Sequence, residues 1–178
     1  MDDAEARTVL TRLWVDHREE VVRFVARRAE PEHVDDVVSE TFLVAWRRVD
    51  EVPTEARPWL YGVARNVLAT QGRTHGRWRA LGVRLGQEPA TASEGVDEVV
   101  TERTDLRRAW ELLGDADREV IALVAWDGLT NIEAAQVLGC RASTFAVRLN
   151  RARKRLLAFS EVPSGTADKL RRLQQEAP

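Results

Sequence analysis

Apolar residues recur at intervals of three and four along most of the chain, and this helical spacing restricts the fold more than any other feature. The most regular run covers Val34 to Val49. An earlier run covers Ala4 to Arg28 and stops before Pro31, and a third begins with Pro58 in its first turn. No segment alternates apolar and polar residues as a half-buried strand does. The pattern therefore predicts an all-α protein in which residues 1–85 form a small three-helix bundle.

The regular spacing stops within residues 86–103, which are rich in small, polar and acidic residues. This composition predicts an acidic flexible linker with little core of its own. Shorter helical patterns resume over residues 104–160, where Thr130 is expected to cap a helix that buries Ile132. Residues 161–178 are expected to form a tail. The predicted architecture is thus two small helical domains joined by a flexible linker.

The composition argues against several classes of protein. No window approaches the roughly 18 consecutive apolar residues of a membrane-spanning helix, and the acidic N-terminus lacks the apolar core of a secretory signal. One cysteine, Cys140, and three scattered histidines make neither a disulfide nor a metal set. We interpret Cys140 as a small buried filler rather than a redox thiol. No catalytic constellation is recognisable, so we expect a cytoplasmic protein that is not an enzyme, with no cofactor and no membrane insertion.

Charge is distributed unevenly along the chain, although the net charge is only −2. No acidic residue occurs between Glu55 and Glu88, or between Glu133 and Glu161, and both stretches contain several arginines. A solvated helix face usually mixes charges of both signs. Two acid-free basic stretches therefore favour contact with nucleic-acid phosphates over an incidental basic surface.

A helix-turn-helix pattern occupies residues 130–153. Ala135 supplies a small residue where the two helices approach, and Gly139 supplies a turn residue that tolerates positive φ. The apolar residues expected to face the core from the second helix are Phe145, Leu149 and either Ala152 or Leu156. The opposite face carries side chains suited to the major groove and its phosphates: Arg141, Ser143, Thr144, Arg148, Arg151 and Arg155. A helical hairpin with an incidental basic face is the alternative.

The second helix of this pattern, Thr144 to Leu156, is similar to region 4 of extracytoplasmic-function (ECF) RNA polymerase sigma factors. LuxR-type regulators contain comparable helices, so the N-terminal half of the chain decides between the two families. Val34 to Arg47 resembles sigma region 2.2, and Pro58 to Asn66 resembles regions 2.3 and 2.4. The resemblance therefore places sigma region 2 in residues 1–85 and sigma region 4 in residues 104–160.

This resemblance implies a protein that binds core RNA polymerase and directs transcription from promoter DNA. Region 2 would melt and recognise the minus-ten element, and the helix-turn-helix would recognise the minus-thirty-five element. An anti-sigma factor is an expected further partner. Ala146 and Val147 stand where the family often has lysine or serine, so the preferred minus-thirty-five sequence does not follow from the resemblance. Ser39 likewise replaces a frequent glutamine.

Two other functions remain open on the sequence alone. The first is a stand-alone helix-turn-helix regulator whose N-terminal bundle senses a ligand or dimerises, and which would bind duplex DNA tightly without polymerase. The second is a helical adaptor with no role at DNA, which the two acid-free basic stretches disfavour.

The polymerase contact is expected on the second helix, where one face points away from the core stripe. The residues on this face are Asp36, Ser39, Glu40, Leu43 and Arg47. Leu43 is an apolar residue within a ring of charge, which is common in protein contacts. A solvated face with one stray leucine is the alternative.

The minus-ten contact is expected on the third helix and just beyond it. The residues predicted for it are Trp59, Tyr61, Arg65, Asn66, Thr70, Arg73 and Arg77. Aromatic rings stack on unpaired bases, and an amide offers both a donor and an acceptor to a base edge. Asn66 matches a position that the family uses to hold a flipped base. An ordinary surface asparagine, and a core role for Trp59, are the alternatives.

Overall fold

The computed structural model describes residues 3–70 and 105–160, and these residues are helical with short connections. The N-terminal helices are α1 (Asp3–Ala26), α2 (Val34–Arg47) and α3 (Ala56–Thr70). Single 3-10 turns at Pro31–His33 and Val49–Glu51 flank α2. The later helices are α4 (residues 105–112), α5 (Asp115–Ala125), α6 (Asn131–Val137) and α7 (Ala142–Ser160). The described residues contain no strand, which confirms the predicted all-α fold.

Several sequence predictions lie outside the described residues, namely the linker at 86–103, the tail at 161–178, Arg73 and Arg77. The chain divides into two compact units. Of the described residues, the first unit contains 3–70 and 123–145, and the second contains 105–122 and 146–160. No described helix is long and apolar enough to cross a membrane.

The first unit is organised around the bundle of α1, α2 and α3, each of which packs against the other two. Its fully buried side chains include Phe24, Val37 and Leu60, one from each helix. The three-helix bundle predicted from the apolar spacing is confirmed. Trp14 on α1 is 41% exposed. Its indole touches the ring of Phe42 edge-on at 4.8 Å between centroids, which covers one part of the ring and leaves the rest in solvent.

Residues 123–145 belong to this same unit because α6 packs directly on α3. Gly62 lies at this contact, and a Cβ atom added there would make an ordinary van der Waals contact, 3.9 Å from both the Cα and the carbonyl oxygen of Val137. The chain enters α6 through a turn in which Gly128 adopts a φ of +64°. The Leu129 amide closes this turn by donating to the Leu123 carbonyl at 3.0 Å.

The second unit has its own buried residues, among them Trp110, Leu112 and Ala122. Arg118 satisfies carbonyls near the end of α4. Its Nε donates to the Trp110 oxygen at 3.0 Å, and one terminal nitrogen donates to the Glu111 oxygen at 2.8 Å. These bonds replace the intrahelical partners that the last turn of a helix lacks.

Candidate polymerase and DNA interfaces

The outward face of α2 is arranged as the sequence indicated. Val37, Val38, Thr41, Phe42 and Ala45 form the buried stripe. Asp36, Ser39, Leu43 and Arg47 are exposed, and Glu40 is half-buried. Leu43 keeps 41% of its surface in solvent, and Glu40 and Arg47 form a long ion pair at 3.9 Å. This face therefore presents one large apolar side chain among charged and polar neighbours.

The exposed face of α3 carries only part of the predicted minus-ten set. Asn66 and Thr70 are exposed, while Arg65 and Trp59 are half-buried. The Thr70 hydroxyl donates to the Asn66 carbonyl at 2.9 Å, so the backbone accepts this bond and the Asn66 amide is not involved in it. The side chain of Asn66 is accessible to a ligand, and its contact with a base stays a prediction.

Tyr61 does not lie on this face, and the prediction that it would is wrong. It is 3% exposed, and its ring stacks on Phe24 with 4.3 Å between centroids. Burial raises the pKa of its hydroxyl. Tyr61 follows Leu60 on α3 and lies at the edge of the apolar stripe. Packing against α1 buries its side chain in the core.

Two clefts of the first unit border the α3 face. One, of about 330 Å³, lies between α2 and α3 and is lined by side chains that include Glu40, Arg48 and Asn66. The other, of about 460 Å³, has Trp59, Arg65 and Asn66 on one wall and residues 136–139 on the other. Both clefts have polar and apolar lining, which suits a planar base that needs stacking and edge contacts.

Arg48 borders both clefts and was missed by the sequence analysis. Its guanidinium lies 5.8 Å from the centroid of the Trp59 ring, within the range of a cation–π contact. It also forms an ion pair with Glu51, which lowers the pKa of that carboxyl through the side-chain hydrogen bond. Arg48 lies between the end of α2 and a 3-10 turn, so the helical spacing of apolar residues made no prediction for its side chain.

The helix-turn-helix begins and turns by standard capping chemistry. Thr130 caps α6 through its hydroxyl, which accepts from the Glu133 amide at 3.3 Å, and the Glu133 carboxylate accepts from the Thr130 amide at 2.8 Å. The bond from the Thr130 amide, together with one that the Thr130 hydroxyl donates to the same carboxylate at 2.7 Å, lowers the pKa of Glu133. At the other end Gly139 has a φ of +62°, and the Cys140 amide donates to the Ala135 carbonyl at 2.9 Å. This is a Schellman ending, and it confirms the predicted cap and turn.

The remaining details of α6 correct two predictions. Ile132 was expected to be buried, but it is 65% exposed because it lies in the first turn on the side away from Ala134 and Ala135, which are buried. Cys140 was interpreted as a buried filler, but it is half-buried at the turn. It is a free thiol.

The recognition-helix pattern of α7 is confirmed in its exposure. Phe145, Leu149 and Ala152 are buried, and Leu156 is half-buried. All six residues predicted to contact DNA are exposed: Arg141, Ser143, Thr144, Arg148, Arg151 and Arg155. Arg155 forms an ion pair with Asp117 of α5 at 2.6 Å, and both residues belong to the second unit.

A buried ion-pair cluster in the first unit was not foreseen. The Asp127 carboxylate accepts from Arg28 at 2.6 Å and from the Nε of Arg27 at 3.1 Å. The Asp127 carbonyl accepts from Arg57 at 2.6 Å. We refer to Asp127, Arg27, Arg28 and Arg57 as the Asp127 cluster. The side chains of Arg28 and Asp127 are both inaccessible to solvent, and the Arg28 guanidinium lies 3.6 Å from the centroid of the Phe24 ring.

Comparison with known proteins agrees with this geometry. The family model for sigma-70 region 2 matches residues 13–77, and the model for sigma-70 region 4 matches residues 103–156. These spans cover the α2 and α3 faces and the helix-turn-helix. The class of protein is thus that of the sigma-70 type, with regions 2 and 4.

Curated relatives and solved structures narrow the class. The chain is 34% identical over 152 residues to the ECF RNA polymerase sigma factor SigC of Mycobacterium tuberculosis, covering 81% of this chain and 79% of SigC. It is 32% identical over 143 residues to the RNA polymerase sigma factor CnrH of Cupriavidus metallidurans, covering 74% and 75%. A solved structure of CnrH in complex with the cytosolic domain of CnrY matches with a TM-score of 0.60 and 27% identity, over 87% of this chain and 92% of that one.

The chain therefore belongs to the ECF RNA polymerase sigma factors and acts in transcription initiation.

Proposed function

We propose that this sigma factor binds core RNA polymerase through the outward face of α2. The observation that supports this site is Leu43, a large apolar side chain left exposed among Asp36, Glu40 and Arg47. A few residues near the buried centre of a protein contact carry most of its binding energy, and the residues around them exclude water. Ser39 completes the face and adds no charge.

We further propose that α3 recognises the minus-ten element after the strands separate. Asn66 would contact a base edge, Trp59 and Arg65 would stack on bases or pair with phosphates, and Thr70 would border the same path. Arg73 and Arg77 would extend the basic surface. Arg48 joins this set because it lines both clefts next to Asn66. Tyr61 would act through packing, since it supports α3 from inside the bundle.

The third element of the proposal is recognition of the minus-thirty-five element by α7. The observation that carries it is the distribution of burial along this helix. The six predicted DNA-contacting residues, Arg141 just before α7 and five within it, are exposed, while Phe145, Leu149 and Ala152 are buried. The N-terminal residues of such a helix contact base edges, and the following arginines contact phosphates.

We place sigma region 2 in residues 1–85, the linker in 86–103, sigma region 4 in 104–160 and a tail in 161–178. The spans of the two family models support these assignments. The protein would work in the cytoplasm with polymerase and would carry no catalytic site of its own. CnrH was solved in complex with the cytosolic domain of CnrY, and we infer that a comparable regulatory protein, an anti-sigma factor, binds this chain.

Transcription reconstituted from purified components tests the proposal. The protein is added to core polymerase of its source organism with a library of genomic fragments, and the transcripts are sequenced. We expect discrete start sites that share two upstream motifs and that are absent with core polymerase alone. A stand-alone regulator would instead retain duplex DNA tightly without polymerase and would produce no new start sites.

A further inference from the structure

Val147 is an exposed apolar side chain on the basic face of α7. More than half of its surface, 52%, stays in solvent. Valine is also a weaker helix former than alanine, because its branched side chain loses rotational freedom in a helix. The stability of the free helix therefore does not favour a valine at this position.

The position of Val147 is close to the centre of the exposed face of α7. Phe145 and Leu149, which are buried, stand two residues before it and two residues after it. At about 100° per residue, Val147 lies about 160° from each of these side chains around the helix axis. It thus points almost directly away from the buried side of α7, toward the middle of the surface proposed to enter the major groove.

Polar and basic side chains surround Val147 on this face. Asn150 and Arg151 stand three and four residues after it, so they are its neighbours one turn further along the helix. Arg148 follows it directly, and all three of these residues are exposed. Residues 134–160 include no acidic residue, so α7 carries no carboxylate that would repel a phosphate.

An apolar protein partner would not suit this surface. A single valine offers little apolar area, and apolar residues exposed singly are ordinary on protein surfaces. The next large apolar side chain exposed on α7 is Leu157, ten residues further on, which is about 15 Å along the helix axis. The charge of the side chains around Val147 instead complements DNA.

The major groove has one apolar group that distinguishes a base, the C5-methyl group of thymine, and the other distinguishing groups are hydrogen-bond donors and acceptors. A valine placed against a donor or acceptor would cover it without replacing its bond to water, which costs free energy. Contact with a thymine methyl group buries apolar surface on both sides, which is favourable.

We propose that Val147 recognises a thymine of the minus-thirty-five element through contact between its methyl groups and the C5-methyl group of that base. The inference rests on the function proposed above for α7. It adds to the six polar residues of that proposal an apolar residue that specifies one base pair.

Replacement of thymine by deoxyuridine tests this contact, because the two bases differ only in the C5-methyl group. A duplex promoter fragment recovered by the transcription assay above is synthesised with each thymine of its minus-thirty-five motif, on either strand, replaced in turn. The Kd of each fragment for core polymerase carrying the full-length sigma factor is measured at one fixed salt concentration. The parent is compared with Val147→Ala. Leu157→Ala is the matched control, since it removes another exposed apolar side chain from α7.

We expect one replaced thymine to weaken binding of the parent about fourfold, the effect of losing about one buried methyl group. Val147→Ala should bind the thymine and deoxyuridine fragments with the same Kd. Leu157→Ala should keep the fourfold difference of the parent. Since alanine is the better helix former and Val147 is exposed, the Tm of Val147→Ala should not fall below that of the parent.

Two results would overturn the inference and leave the function proposed for α7 standing. In the first, no deoxyuridine weakens binding of the parent, although Arg148→Ala does. In the second, Val147→Ala keeps the sensitivity of the parent to deoxyuridine, so another residue contacts the methyl group. A fragment with a scrambled minus-thirty-five motif separates these results from a failure of the proposed function. If the parent binds it as tightly as the intact fragment, α7 does not recognise this element, and the inference about Val147 is overturned with that function.

Discussion

Replacement of Leu43 by aspartate tests the proposed polymerase contact. Leu43 is 41% exposed and lies opposite the buried stripe of α2. The free energy of unfolding should therefore change by less than about 0.5 kcal/mol, as for most surface substitutions. The effect is expected in the complex, where the leucine would be covered.

The magnitude follows from the exposed area. At about 25 cal/mol per Å², covering the exposed part of one leucine contributes roughly 1–2 kcal/mol to binding. An aspartate at Leu43 would lose that contribution and would also bury a carboxylate without a partner. We expect a total loss of about 2 kcal/mol or more, which is about a thirtyfold increase in Kd. Leu43→Ala, which removes only the apolar contact, should lose about half as much free energy.

Fluorescence anisotropy of labelled sigma factor titrated with core polymerase measures these Kd values. Val15→Asp is the matched control because Val15 is an exposed valine on α1, outside the proposed contact. Thermal unfolding of each variant checks that the fold is intact. If Leu43→Asp and Val15→Asp bind polymerase with the same Kd as the parent, the α2 face is not the contact.

Four further substitutions test the DNA contacts and the cap. Asn66→Ala should leave Tm and polymerase binding nearly unchanged, but should flatten the base preference at one minus-ten position in a randomised promoter library. Arg148→Ala and Arg151→Ala should each weaken promoter binding. Removing an arginine that binds a guanine should cost about 1–3 kcal/mol of binding free energy and relax the preference at that base. Removing a phosphate contact should instead weaken binding to all sites alike and reduce its salt dependence. Glu133→Gln should lower Tm at pH 7, because the cap holds the pKa of Glu133 below its ordinary value of 4.5. That stabilisation is present above the ordinary pKa and is lost as the pH falls through the lowered one, so the Tm difference should shrink on acidification.

Each of these predictions has a result that would contradict it. The same preferred minus-ten sequence for parent and Asn66→Ala would remove Asn66 from base recognition. Parent-like binding and transcription by both arginine variants would remove α7 from the minus-thirty-five contact. A Tm difference for Glu133→Gln that stays constant from pH 7 to about pH 3 would show that ionisation of Glu133 contributes nothing to the cap.

The apolar spacing predicted the helices well because burial of one stripe per helix decides most of this fold. The run from Val34 to Val49 corresponds to α2 and its following 3-10 turn, and Pro58 lies in the first turn of α3 as expected. The cap at Thr130 and the turn at Gly139 were also correct, since both depend on local backbone chemistry. The exposure of α7 followed from the same logic.

Contacts between distant segments could not be predicted from such patterns. Nothing near Asp127 indicates that its partners are Arg27 and Arg28, and the pairing depends on how α6 packs on α3. Tyr61 was assigned to the wrong side for a related reason. Its position at the edge of a stripe suited either face, and the stacking on Phe24 of another helix decided the outcome.

Site-specific crosslinking in the open promoter complex tests the central claim most directly. A photo-crosslinking residue replaces Ala69 on α3 or Val147 on α7, exposed positions beside the proposed contacts. After irradiation with core polymerase and promoter DNA, the crosslinked bases are mapped by primer extension. We expect the Ala69 position to crosslink near the minus-ten element and the Val147 position about 25 base pairs upstream, roughly 85 Å away along the duplex. Crosslinks from both positions to the same few base pairs, or from neither, would contradict the assignment of the two helices to the two promoter elements.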